Sequence, residues 1–352
     1  MFMVRLRAAL LTPLTGSLSA FGQACATGLT LWAEHAAQLP VPWTGVELDV
    51  HDCGSNIEAS MRAVLATSPD VLFGPYGSNT MLAAARATSR VLWNHGGATS
   101  QLARPHFPHI IPILSPASTY FAAVLQALRA VDPHITTVSL LYTTTGFGRD
   151  IAHGASAAAA RLNFQLQTIP FQPSHAVTAA STVPSADVLL VVGNFADELA
   201  VAPVLLPRRW RAAAFVGAGV EEVLAPLGEQ REGLLGPAQW LARVAPSPDE
   251  GPDADWFVRY YRQASGSEPP YPAAQAFAAG VLYARCLRDS NRNDDLAQLE
   301  SARQLACNTL YGAFRLDPNS GLQTGHQMLV VQWQQGTRRV VWPPEQAERA
   351  LI

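Results

Sequence analysis

The chain has 352 residues, a formal net charge of −3, and 24 basic residues, all of them arginine. Without a lysine it cannot form the Schiff base of a pyridoxal or class I aldolase enzyme. Nor can it supply the phosphate-reaching lysine of a P-loop nucleotidase or a protein kinase. Charged residues reach only 14 % and form no basic cluster beyond the short Arg208-Arg209-Trp210-Arg211, which argues against a nucleic-acid partner.

The chain opens with an apolar run at 4–11 that leads into Thr12-Pro13-Leu14-Thr15-Gly16 without a convincing small-residue cleavage site. It reads as a first strand and not as a signal peptide. Further apolar or β-branched runs follow at 46–50, 71–73, 91–93 and 110–114. A second series covers 137–142, 164–169, 188–192, 213–216 and 234–239. Between most of them lie stretches of helical periodicity at 20–37, 55–66, 80–89, 119–130 and 149–162. Alternating strands and helices predict an α/β protein with parallel sheets. Ten such strands are too many for one comfortable sheet, and the series divides near 115–118. A Pro/Asp/Gly-rich linker at 244–255 precedes helical stretches at 256–264, 273–287 and 296–310. The tail is strand-like at 313–317 and 327–335. No apolar run reaches the ~18–20 residues needed to cross a bilayer, so no membrane insertion is expected.

Several chemistries find no support. There is no GxGxxG, since Gly217-Ala218-Gly219 is followed by Glu222, and there is no GxSxG, HExxH or EF-hand loop. Cys25, Cys53, Cys286 and Cys307 show no CxxC spacing. Cys53 beside His51 and Asp52 reads as a partly buried free thiol. His106 and His109 lack companion carboxylates, so neither a metal nor any other cofactor is expected.

What remains is concentrated in loops that follow strands, where an open α/β sheet presents its crevice. Three stand out: 12–22, 74–80 and 96–102. The last two place Ser78, Thr80, Thr99 and Ser100 at helix starts beside glycines. As helix caps these hydroxyls would bond backbone N–H groups. With glycines admitting a ligand close to the backbone, the same groups suit an anion. No base or nucleophile accompanies them, so the arrangement fits holding a carboxylate better than attacking a bond.

Five segments in order carry a family resemblance. They are Pro13-Leu14-Thr15-Gly16 with Phe21-Gly22, Gly74-Pro75-Tyr76-Gly77-Ser78, Ala98-Thr99-Ser100-Gln101-Leu102, the 271–280 segment, and Gly312-Ala313-Phe314-Arg315-Leu316-Asp317 with Gly321. Together they resemble the type I periplasmic solute-binding proteins, in the branch of the leucine/isoleucine/valine-binding proteins of ABC transporters. The resemblance implies two Rossmann-like lobes joined by three crossings, expected near 115–118, 242–247 and 321–327. The N-terminal lobe would comprise 1–116 and 246–322, and the C-terminal lobe 117–245 and 323–352. It implies a non-catalytic protein whose ligand sits in an interlobe cleft. Ser78 and Thr99 would hold the ligand carboxylate, assisted by backbone groups of Gly97 and Ala98. Phe21, Tyr76 and Tyr271 would lie on the first lobe, and Phe147 and Phe195 on the second.

Two departures from the family bear on the ligand. Amino-acid-binding members carry a second-lobe acid for the ligand ammonium, and Ala218 stands at the matching position. A buried ammonium without a carboxylate is costly, so the reading favours an aromatic or branched carboxylate and disfavours an α-amino acid. Cys53 matches one half of the family's N-lobe disulfide, but Gly77 matches the other, so no bridge is expected. The implied partners are a small-molecule ligand and an ABC permease. The alternative is a ligand sensor of the same fold with a regulatory partner. The compartment is periplasmic or extracellular if a signal peptide was removed, and otherwise cytoplasmic.

Overall fold

A computed structural model describes residues 4–352. In chain order the elements are β1 (Val4–Thr12), α1 (Ser19–Leu31), β2 (Trp43–Asp52), α2 (Ile57–Ala66), β3 (Val71–Phe73), α3 (Ser78–Ala87), β4 (Leu92–Asn94) and β5 (Ile110–Pro112). Next come α4 (Tyr120–Val131), β6 (Thr137–Thr143), α5 (Gly146–Arg161), β7 (Gln165–Phe171), α6 (Ala176–Ser181), β8 (Val188–Val192), α7 (Phe195–Leu205), β9 (Ala212–Phe215) and β10 (Leu235–Ala238). The chain ends with α8 (Ala254–Ser265), α9 (Tyr271–Ser290), α10 (Asp295–Gln304), β11 (Cys307–Thr309), β12 (Gly312–Phe314), β13 (Leu329–Gln334) and β14 (Thr337–Trp342).

The chain divides into two compact units. The first runs up to Ser115 and resumes over Trp240–Gln327. Its five-stranded sheet has the order β2-β1-β3-β4-β5 and is parallel throughout. Such a sheet is covered on both faces and reads as near-continuous apolar runs. Accordingly Val71, Leu72 and Phe73 are all buried, as are Leu92 and Trp93. One side is filled by α2 and α3 through Met61, Val64, Met81 and Ala85. On the other, Trp93 and Phe73 pack edge-on against Tyr283 of α9 at 6.0 and 6.2 Å. The helix starts are written locally: Asn56, Asp253 and Asp294 each accept a backbone N–H of the first turn.

The second unit comprises Pro116–Gln239 and Met328–Ile352. Its seven-stranded sheet has the order β14-β13-β10-β9-β8-β6-β7. The strands from β10 to β7 are parallel, while β13 and β14 add an antiparallel edge. β8, Val188–Val192, is buried along its whole length. One core cluster joins it to α6, α7, Phe215 and Trp333.

The divisions fall at Ser115/Pro116, Gln239/Trp240 and Gln327/Met328, whereas the sequence places them at 116/117, 245/246 and 322/323. Side chains explain the last two differences. Trp240 donates its indole N–H to Leu310 O at 2.8 Å and packs on Phe257, which draws it into the first unit. His326 bonds Ser115 at 2.6 Å and stacks on Tyr311 at 4.3 Å, which holds the chain there as far as 326. The helix expected over 296–310 ends at Gln304. Residues 307–309 instead pair antiparallel with 312–314, in a hairpin closed at Gly312 with φ +145°.

Candidate functional site

In the first unit, three elements bring their aromatic residues together. Phe21 lies in the first turn of α1, Tyr76 in the loop after β3, and Tyr271 opens α9. Phe21 and Tyr76 stack at 5.1 Å with 12° between planes. Tyr271 sits 6.4 Å from each ring, and its hydroxyl is hydrogen-bonded to that of Tyr76. The entry to α1 is fixed by contact: a Cβ at Gly22 would lie 1.8 Å from Pro13 O. The preceding loop is anchored by Asp52, which accepts from Leu14 N and Thr15 Oγ1, each at 2.8 Å. Those bonds hold the Asp52 carboxyl below its usual range, the Leu14 N–H contributing most.

Beside the aromatic group lie the loops after β3 and β4. They touch closely, since Gly77 N donates to Gly96 O at 3.0 Å and a Cβ at Gly96 would lie 2.5 Å from Tyr76 Cα. Gly77, at φ +100°, turns the chain into α3 in a backbone region that disfavours side chains. Ser78 is then the first helical residue. The N-cap position before it is Gly77, so no side chain caps this helix. Thr80 instead returns its hydroxyl to the Tyr76 and Gly77 carbonyls at 2.5 and 2.7 Å. Thr99 does act as a cap, its Oγ1 accepting from Gln101 N at 3.3 Å, and is fully buried.

Asn94 organises the second loop. Its Oδ1 accepts from Gly96 N at 3.2 Å and Gly97 N at 2.7 Å, and its Nδ2 donates to Gly97 O at 2.8 Å. Both backbone groups of Gly97 are thereby engaged, so the N–H expected there for a carboxylate is already committed. The N–H groups of the buried Ala98 and Thr99 have no partner among the described residues. Unpaired buried N–H groups are rare in folded proteins. Adjacent His95 is fully buried with neither ring nitrogen hydrogen-bonded to a side chain or backbone group, and burial lowers its pKa to about 4.

In the second unit, Phe147 lies in the first turn of α5 and meets Tyr120 of α4 edge-on at 5.7 Å. The Tyr120 hydroxyl accepts a hydrogen bond from the buried Gln239. Phe195 opens α7 behind a capping box of Asn194 and Asp197. These residues stand at the carboxyl ends of β6 and β8, neighbours in the sheet.

Ala218 faces inward. Its side chain is fully buried in the core cluster with Phe215, Leu224 and Trp333, and its carbonyl accepts from Trp333 Nε1 at 3.0 Å. Glu221, two positions beyond Gly219, is exposed and paired with Arg338 at 2.7 Å. The buried acid of this region is Glu198 on α7, which accepts from Gly217 N at 2.7 Å and Gly193 N at 3.4 Å. Burial pushes its carboxyl up to about 8, against the lowering effect of those bonds.

The cysteine and histidine alternatives fare poorly as chemistry. Burial raises the Cys53 thiol to about 12, far from a nucleophile's range. His109 is engaged with Ala85 O at 3.1 Å. Among the described residues no group of three or more His, Cys, Asp or Glu is placed to hold a metal ion. No helix there is long and apolar enough to cross a membrane.

A family profile for periplasmic binding proteins matches residues 5–338. The chain belongs to the periplasmic binding protein family. Solved members of this fold superpose along nearly the whole chain. A leucine-binding protein from Thermotoga maritima aligns with a TM-score of 0.79 at 18 % identity, covering 97 % of this chain and 99 % of that one. The solute-binding protein of an ABC transporter from R. palustris, in complex with benzoate, gives 0.76 at 14 %, covering 96 % of each chain. A solute-binding protein from Rhodopseudomonas palustris BisB5, in complex with 3,4-dihydroxybenzoic acid, gives 0.76 at 15 %, covering 95 % of each. Like them, this periplasmic binding protein has mixed α/β architecture with two sheet-centred units.

Asn94, Tyr120, Glu198 and Gln239 escaped the sequence reading. Asn94 two residues before a Gly-Gly pair is a recognisable side-chain-to-backbone turn signal. Glu198 had no such signal: an acid three residues into a helix reads as an exposed first-turn charge.

Proposed function

We propose that this periplasmic binding protein captures a small aromatic carboxylate for an ABC permease and performs no catalysis on it. The observation that carries the reading is the donor group in the first unit. The Ser78 hydroxyl and the N–H groups of Ala98 and Thr99 stand beside the stacked Phe21 and Tyr76 rings. Neutral hydroxyls and backbone N–H groups suit a carboxylate, and the aromatic faces suit a planar ring. Binding of benzoate and 3,4-dihydroxybenzoic acid by two proteins of this fold agrees with that chemistry. The second unit adds Phe147 and Phe195. Its acid, Glu198, is spent inside the fold, which argues against an α-ammonium partner there. Delivery to a permease would place the protein in the periplasm or outside the cell.

Calorimetric titration with benzoate, 3,4-dihydroxybenzoate and leucine tests the reading. The aromatic acids should bind and leucine should not. Ser78→Ala and Thr99→Ala should each weaken benzoate by about 1–3 kcal/mol, the worth of a hydrogen bond to a charged group. Preference for leucine would reverse the ligand class. Unchanged affinity in both variants would remove the carboxylate assignment.

A further inference from the structure

Glu198 is fully buried, and among the described residues no cation is paired with it. Its carboxyl group faces two backbone N–H groups, and the neighbouring Asp197 carries a like charge. A buried carboxyl without a counter-charge is costly unless its hydrogen bonds are needed. The two it accepts come from different loops: Gly193 follows β8, and Gly217 follows β9. These strands are neighbours in the sheet.

The loop after β9 is held from two further directions. Trp333 Nε1 donates to Ala218 O at 3.0 Å, and the Arg338 guanidinium donates to Gly219 O. It also has no room to shift inward, since a Cβ at Gly219 would lie 1.8 Å from Pro237 O. That loop is therefore a fixed point in the unit. The turn after β8 leads through Asn194 to Phe195, and Glu198 lies on the same helix one turn further on.

We propose that Glu198 is a positioning residue for solute binding. By accepting from both Gly193 and Gly217, it fixes the start of α7, and with it Phe195, against the rigid loop after β9. It touches no solute itself. The inference rests on the proposed role of Phe195 as a solute contact. A leucine would fill similar space but leave both N–H groups buried and unpaired.

The test uses Glu198→Gln, which keeps a carbonyl for Gly217 but turns an amide N–H₂ toward Gly193. In the solute-free protein, amide exchange at residues 193–196 should rise while Gly217 stays protected. Calorimetry with benzoate should show about three- to tenfold weaker binding, the worth of one net hydrogen bond, without a fall in Tm. In a Phe195→Ala background, Glu198→Gln should have little further effect, because its influence passes through that ring. If Glu198→Gln fails to fold, Gly217→Ala replaces it, since its Cβ would lie 2.7 Å from Glu198 Oε2 and displace the carboxyl group. Wild-type exchange at 193–196, or losses that add independently of Phe195, would overturn the proposal. A wild-type protein that binds none of the three probes would sink the proposed function instead, with the exchange measurement still deciding the role of Glu198.

Discussion

Phe21 and Tyr76 lie face to face at 5.1 Å although one opens a helix and the other sits in a loop beyond the next two strands. The pairing depends on two backbone constraints. Gly22 lets α1 press onto Pro13, and Gly77 turns the chain directly after Tyr76. Tyr271 completes the group, with its hydroxyl satisfied by Tyr76 and its ring tilted 45° to Phe21.

Phe21 is half-buried, so removing it should cost affinity more than stability. Phe21→Ala should weaken benzoate binding by about 0.5–1.5 kcal/mol, the usual worth of an aromatic pair. Tyr76→Phe keeps the stack and loses the hydroxyl bond to Tyr271, so its affinity should fall less than that of Phe21→Ala. Calorimetry on both variants reads the contrast. A loss in Tyr76→Phe as large as that in Phe21→Ala would show that the Tyr76 hydroxyl contributes as much as the Phe21 ring.

Gly22 should tolerate no side chain. A Cβ there meets the backbone carbonyl of Pro13 at 1.8 Å, and no flexible atom is available to give way. Gly22→Ala should destabilise by about 1–3 kcal/mol, as for other overpacked sites. At Gly45, on β2, the nearest atoms are the Arg5 guanidinium at 3.8 Å, so Gly45→Ala should be near neutral. Chemical denaturation of the two variants checks the pair.

The alternation of apolar runs and helical stretches made the α/β class readable, because parallel strands buried on both faces leave continuous signals such as 188–192. The tail was harder. Residues 307–309 follow an apolar, helix-compatible stretch, and only pairing with 312–314 makes them a strand. Within the site, Ser78 and Thr99 look alike as hydroxyls at helix starts, yet only Thr99 caps. The difference lies in the Gly77 turn, a tertiary fact. The inward setting of Ala218 was hidden for a related reason: a position in a loop does not reveal which way its side chain faces. Trp333, far along the chain, draws that loop inward.

His95 should set the acid limit of stability. Its folded pKa is lowered to about 4, against 6.5 for an ordinary histidine, chiefly by burial. Between those values the unfolded chain binds a proton that the native state refuses. Stability should therefore fall as the pH drops from about 6.5 toward 4. His95→Leu should flatten this part of the curve, read as Tm against pH. A slope unchanged in the variant would assign the acid limit to other groups.

Glu198 should act at the other end. Its folded pKa is raised from 4.5 to about 8, with burial as the leading cause and Asp197 adding to it. Between these values the native state holds a proton that the unfolded chain has released. The sign is therefore opposite to that of His95: stability should fall as pH rises from about 4.5 to 8, and level off above. Glu198→Gln removes the titration while keeping an acceptor for Gly217, so its Tm should decline less than wild type between pH 5 and 8.5. The two curves should converge toward pH 5, where the native glutamate is protonated and differs little from the amide. Parallel curves across this range would mean that Glu198 is ionised at neutral pH, its two N–H donors sufficing to hold the charge.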